Sequence, residues 1–143
     1  MNPQDLKPIE QAKEHVIENF DLLDNWQQRY AYLIELGSKT MAKNEHIKTD
    51  SNRLYGCQAS VWLTSSVNKK IITFKGTSDS VIVAGLIALL LKVYSNQHAQ
   101  DILNTPPDFI ERTGLLNNLT SQRGTGLMLM IEKMVDVAKQ HLH

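Results

Sequence analysis

Apolar residues recur at three- and four-residue steps near the start of the chain. Ile9, Ala12, Val16, Phe20 and Leu23 fall on one face of a helix over 9–23. A second helical pattern follows in 24-DNWQQRYAYLIELG-37. Asp24 with Gln27 three residues on forms a capping-box pattern, and Gly37 is placed to end the helix as a C-cap. Residues 38–56 are polar and unpatterned, with one helical turn expected near 39–44; this is the longest irregular stretch.

From residue 59 the period changes to two. Ala59, Val61, Leu63, Ser65 and Val67 alternate with Ser60, Trp62, Thr64 and Ser66, which predicts a strand. A turn at 68-NKK-70 returns the chain into a second strand, 71-IITFK-75. Two strands alone are marginal, so either a third strand comes from residues near 50–56 or helices cover one face. The segment 76-GTSDS-80 is expected to break the strand and cap a helix over about 80–94, apolar nearly all round and therefore buried. Residues 95–119, with Pro106-Pro107, predict two short helices. Thr120 or Ser121 can cap a last helix whose apolar face is Leu127, Ile131, Met134, Val135, Ala138 and Leu142. Helices, hairpin, helices in that order give an α+β class.

Length and composition change this picture little. The 143 residues suit one domain, 1–143, able to bury roughly 68–70% of its unfolded surface. Lys plus Arg and Asp plus Glu are both 15, and the absence of a basic excess argues against a nucleic-acid partner. Zero net charge leaves little long-range steering, so partner choice rests on local patches. The N-terminus shows no signal-peptide pattern, and the apolar run 81-VIVAGLIALLL-91 is far short of the roughly 20 residues of a membrane span. The expectation is a cytoplasmic chain with no membrane contact.

Cysteine usage matters more. Cys57 is the single cysteine, which excludes an internal disulfide and multi-cysteine zinc or iron–sulfur sites within one chain. No metal and no bound cofactor are expected. A lone cysteine is ordinarily a small packed hydrophobe. Three features favour chemistry instead: Cys57 stands at a loop-to-strand junction, Gly56 permits unusual backbone geometry, and Asn52, Arg53 and Gln58 are polar, with Arg53 able to favour a thiolate. A cysteine hydrolase would need a positioned base, and His15, His46, His98, His141 and His143 all read as solvated. A thiol that only accepts and passes on sulfur asks for less: access, some thiolate and a docking surface. Asp79 and Arg123 read as helix-cap neighbours. A cation at a helix N-terminus is slightly unfavourable, so Arg123 is a candidate partner for Asp79.

The segments 26-WQQRYAYLIELG-37, 55-YGCQASVWL-63, 76-GTSDSVIVAGLIALL-90 and 119-LTSQRGTGL-127 together resemble the SufE family of sulfur-acceptor proteins, which includes the related CsdE. The similarity spans roughly 9–138, and G-C-Q-x-x-V-W is its most specific part. The resemblance implies an IscU/SufE-like fold, with a small antiparallel sheet of about three strands and helices packed on one side. It implies a partner, not a stand-alone enzyme, for a pyridoxal-phosphate cysteine desulfurase of the SufS or CsdA kind, with the PLP held by that desulfurase. Cys57 would take the persulfide sulfur, stimulate the desulfurase and deliver sulfur to a SufBCD-like scaffold for iron–sulfur assembly. Gly56, Gln58, Asp79 and Arg123 would shape the cysteine loop or contact the desulfurase. Gln122 and Thr125 depart from the family's usual residues around Arg123, and 56-GCQ-58 is nearer the SufE version than the CsdE one. A monomer or weak homodimer is expected. An exposed persulfide is vulnerable, so Cys57 is expected to shelter among Leu54, Tyr55 and Trp62, with 38–56 supplying slack for the loop to swing out. Two other readings remain open: an interaction module with a structural cysteine, and a cysteine-dependent hydrolase.

Overall fold

The computed structural model describes residues 8–56, 59–119 and 121–142. Helix α1 (Ile9–Asp21) buries Ile9, Ala12, Val16 and Phe20 of the predicted stripe, with Ile17 beside them, while Leu23 falls past its end and is half-buried. At its C-terminal end Arg29 of the next helix donates from Nε to the Phe20 carbonyl (3.1 Å) and from a terminal nitrogen to the Leu23 carbonyl (3.3 Å). The Phe20 carbonyl, in the last turn, also accepts from the Leu23 amide at 3.1 Å, so Arg29 ties the end of α1 and the residues just past it to α2.

Helix α2 (Trp26–Lys43) starts one residue later than its capping pattern suggests. Asn25 Oδ1 accepts from the Gln28 amide at 2.9 Å, and Gln28 Oε1 accepts from the Asp24 amide at 2.8 Å. This register sets Trp26 against Phe20 and Tyr30 and under Arg29, so packing on α1 decides between two adequate caps. Gly37 does not end α2, which runs six residues further. A Cβ at Gly37 would stand 2.0 Å from the Val81 carbonyl oxygen, and one at Gly85 would stand 2.2 Å from that of Leu33. The glycine is there because two helix backbones touch.

The residues that follow are not slack. Short 3₁₀ turns occupy Glu45–Ile47 and Asp50–Asn52. Buried Asn44 donates from Nδ2 to the Gly76 carbonyl (2.9 Å), Asn52 donates to the Ile47 carbonyl (2.9 Å), and Ile47 is buried. Irregular sequence here is an anchored strap across the sheet, not a tether.

The sheet is antiparallel, in the order β1 (Arg53–Leu54), β2 (Val61–Asn68), β3 (Ile71–Ser78), β4 (Gln97–His98). The third strand near 50–56 is present as β1; β4, too short to show a period, is an addition. Lys69 and Lys70 take left-handed backbone (φ 53° and 67°), the two-residue turn that matches strand twist. Strand β3 does not break at Gly76 but continues to Ser78. Gly76 again permits contact, since a Cβ there would lie 2.7 Å from Ile87 Cγ2.

Helix α3 (Val81–Tyr94), capped by the Ser80 hydroxyl, is buried over most of its surface as predicted. It lies between β3, α2 and α1. Helices α4 (Ala99–Leu103) and α5 (Asp108–Thr113) fill 95–119, together with a 3₁₀ turn at Leu115–Asn118. Helix α6 (Ser121–Gln140) buries Leu127, Met130, Ile131, Met134, Val137 and Ala138. Thr120, one of its two expected caps, lies outside the described residues. Burying side chains of this size contributes about 1.5–3 kcal/mol each. Tyr94, fully buried, donates its hydroxyl to the Thr105 carbonyl at 2.9 Å, and burial pushes its pKa up. Among the described residues no helix is long and apolar enough to cross a membrane.

Candidate functional site

Strands β1 and β2 pair as Arg53 with Trp62 and Leu54 with Val61, so residues 55–60 form the connection that carries Cys57. Cys57 and Gln58 lie outside the described residues; the frame around them is described.

Gly56 has φ of 99°, a conformation side chains rarely adopt, and a Cβ on it would meet Leu129 Cδ1 of α6 at 3.2 Å. The entry to the loop therefore turns sharply beside α6. Its exit is pinned at Ser60, whose carbonyl accepts from the Ser78 hydroxyl (2.7 Å) and the Asp79 amide (3.3 Å). The two legs are joined by Arg53, which donates to Ser60 Oγ at 3.1 Å. The Arg53 guanidinium also lies over Tyr55 (5.4 Å) and Trp62 (5.9 Å), within cation–π range.

Residues on one strand alternate between faces, so Leu54 and Trp62 cannot share a pocket. Leu54 packs toward the core with its partner Val61, whereas Trp62 and Arg53 are on the outer face. Trp62 is only 9% exposed; Lys48 Nζ lies 5.3 Å from its ring centroid and Arg53 lies beside it. Tyr55 is 71% exposed. Leu54, Tyr55 and Trp62 therefore do not form one pocket, and among the described residues Leu129 is an apolar neighbour of the loop entry at Gly56. No sequence signal marks Leu129, because it is one more apolar residue on a helical face.

Asp79 follows β3 directly, and its carboxylate pairs with Lys48 at 3.0 Å. Lys48 also pairs with Glu45 at 3.0 Å. The bonds to Asp79 and then to Glu45 hold the Lys48 ammonium above the usual lysine pKa range. The acid expected to meet Arg123 thus already has a cation from the 45–52 strap. The backbone of Arg123 lies in the first turn of α6; its side chain lies outside the described residues. Lys48 was hidden in the sequence by its place in an unpatterned stretch.

His98 falls on β4, the sheet edge opposite β1, and His46 is exposed on the strap. Among the described residues no three His, Asp, Glu or Cys side chains converge as metal ligands would. What the geometry offers is a short, tightly based loop whose central residue in the sequence is a thiol.

Residues 14–138 match the family model described as "SufE: Fe-S metabolism associated domain". An uncharacterized SufE-like protein of Rhizobium meliloti (strain 1021) is 36% identical over 134 residues, covering 90% of this chain and 96% of that protein. Another, from Rhizobium etli, is 36% identical over 131 residues and 88% of each chain. The solution structure of a hypothetical protein from Thermus thermophilus superposes with a TM-score of 0.74 over 92% of this chain and 96% of that one, at 19% identity. That likeness is one of fold.

Proposed function

The chain belongs to the SufE family, a domain associated with Fe–S metabolism, and from that membership we propose that it is a sulfur carrier with Cys57 as the acceptor. The observation that carries the reading is the sole thiol of a SufE chain placed in the 55–60 connection, between a left-handed glycine and the first long strand. In this reading Cys57 thiolate attacks the outer sulfur of a persulfide on a PLP-dependent cysteine desulfurase. The sulfur–sulfur bond of the donor breaks, a new one forms on Cys57, and the donor cysteine leaves as thiolate. No net oxidation occurs, and the rate follows thiolate fraction, leaving-group pKa and access. Removing the persulfide frees the desulfurase for another turnover, and the sulfur passes on to an iron–sulfur scaffold.

The apolar side chain that the described entry of the loop offers as a shelter is Leu129, which lies against Gly56. The swing toward a partner is confined to 55–60, because the strap before it is anchored by Asn44, Asn52 and Lys48. Asp79 acts through Lys48 and Ser60 to hold the base of the loop. Gln58 and Arg123 belong to the same site in this reading, as partner contacts.

Intact mass after incubation with a desulfurase, L-cysteine and PLP tests the proposal. One added sulfur is expected on the wild type and none on Cys57→Ser. No added sulfur with a range of desulfurases would sink it. Hydrogen exchange of residues 50–60 with and without the desulfurase supplies a second check: deprotection confined to the loop is expected on docking, and a strap that opens with it would contradict the anchored base.

A further inference from the structure

Zero net charge conceals a separation of charge. From Ser51 to Ser78 the chain carries four cations, Arg53, Lys69, Lys70 and Lys75, and no Asp or Glu. All four are exposed, and none forms an ion pair among the described residues. Residues 9–24 are the reverse: Glu10, Glu14, Glu18, Asp21 and Asp24 against Lys13 alone. Glu14 is balanced by Arg112 and Glu10 by Lys13, while Glu18, Asp21 and Asp24 are exposed without an ion pair among the described residues. Helix α3 packs on α1 and on β3, so it lies between the acidic helix and the basic strands.

The strand register places these cations. Arg53 pairs with Trp62 and Lys75 with Thr64, on the face turned away from the helices. Thr64, Ser66 and Thr73 put small hydroxyl side chains in the middle of that face, Asn68 and the buried Ile71 follow them, and Lys69–Lys70 form its far end. The eight residues of β2 at about 3.3 Å each make this face roughly 25 Å long. At its loop end the carboxylates Glu45 and Asp79 are both bonded to Lys48. At its Cys57 end the face is covered by the 45–52 strap, where Lys48 lies over Trp62 and Thr77 is fully buried; past the strap it runs outward as a cationic strip from Lys75 to Lys69–Lys70.

We infer that this outer sheet face is the docking surface for an acidic protein surface, that of the sulfur donor; the inference rests on the carrier reading above. The charge separation orients an uncharged molecule so that the sheet and the cysteine loop meet the donor first, and the acidic α1 faces away. Charges at an interface rim act on encounter more than on the bound state, and their effect fades with salt. Small hydroxyl side chains keep the strip flat enough for a broad partner to approach both the lysines and the loop.

The test neutralises the strip without weakening the turn. Lys69→Asn with Lys70→Gly supplies Asn-Gly, the preferred pair for left-handed positions, and Lys75→Gln removes the third charge. A control, Lys39→Gln with Lys133→Gln and Lys139→Gln, makes the same net-charge change on the exposed faces of α2 and α6. The desulfurase that adds sulfur to Cys57 by mass is the probe. At low ionic strength the strip variant is expected to show a KM for the carrier about tenfold higher at unchanged maximal rate, with the control within about twofold of wild type. The difference should collapse near 0.5 M salt. Equal KM and salt dependence for wild type and strip variant overturn the docking inference, as does an equal loss in the control. Loss of low-salt binding to a random DNA duplex, with desulfurase kinetics unchanged, overturns it in favour of a nucleic-acid surface. If no desulfurase loads the wild type, the carrier reading fails and this inference with it; loading with unchanged KM removes the inference alone.

Discussion

The α2–α3 crossing and the loop end of the sheet are held by opposite means. At the crossing, backbone meets backbone through Gly37 and Gly85, with Leu33, Leu86 and Ile87 buried around them. At the loop end, the side-chain contacts include one arginine bridging the legs and a lysine shared by two carboxylates, the arginine also lying over exposed Tyr55 and the lysine over Trp62. Close packing tolerates little displacement, whereas exposed polar contacts contribute little each and re-form readily. The carrier proposed above would use both: a base held by close packing, and a loop held to it by contacts that cost little to break. Local opening of this kind is drawn from the least stable parts of a fold.

Four substitutions would break or sharpen that contrast. Gly37→Ala puts a methyl group on the Val81 carbonyl, so the helices must separate; a loss of about 3 kcal/mol in urea unfolding is expected. A loss under about 0.5 kcal/mol would mean the crossing is loose. Gly56→Ala forces a side chain into left-handed backbone, at a cost of about 1 kcal/mol. Sulfur loading should slow with far-UV dichroism unchanged; unaltered loading would show that the turn is not required. Arg53→Met removes the bridge to Ser60 but keeps an apolar stem over Trp62. Stability should fall by less than about 1 kcal/mol while alkylation of Cys57 accelerates several-fold. Equal alkylation rates would show that Arg53 does not restrain the loop.

The smallest effect is electrostatic. The folded pKa of Lys48 is raised, so its contribution to stability is fully present below the ordinary lysine pKa of about 10.4 and is lost as pH rises through the folded value. Lys48 is 18% exposed and its partners are more so, which keeps the contribution under about 1 kcal/mol. The stability difference between wild type and Lys48→Met should therefore narrow above about pH 10.4. A difference that stays constant to about pH 12 would assign the loss to packing on Trp62 instead.

Much of this molecule is legible in its pattern of apolar positions. The stripes Ile9 to Phe20 and Leu127 to Ala138, the alternation after residue 59 and the apolar run at 81–91 each found their element, because one buried face dictates each period. Glycines misled. Gly37 and Gly76 resemble a helix stop and a strand break, yet both lie inside elements, since a missing Cβ serves close approach as well as turns. Polar residues in 38–56 looked like slack, yet Asn44, Lys48 and Asn52 are anchors whose partners are distant in the chain or formed by a local turn.

For the site, the sequence by itself determined which atom could do chemistry. One thiol beside a glycine at a loop-to-strand junction excludes an internal disulfide and a multi-cysteine site within one chain, and leaves a carrier, a packed residue or a hydrolase. Tertiary structure alone decided what surrounds the loop. It gave Asp79 to Lys48, set Leu54 and Trp62 on opposite faces, brought Leu129 against Gly56, and put Arg53 and Lys75 on one face of the sheet. Those relations depend on register and on packing between residues far apart in sequence, which no local period encodes.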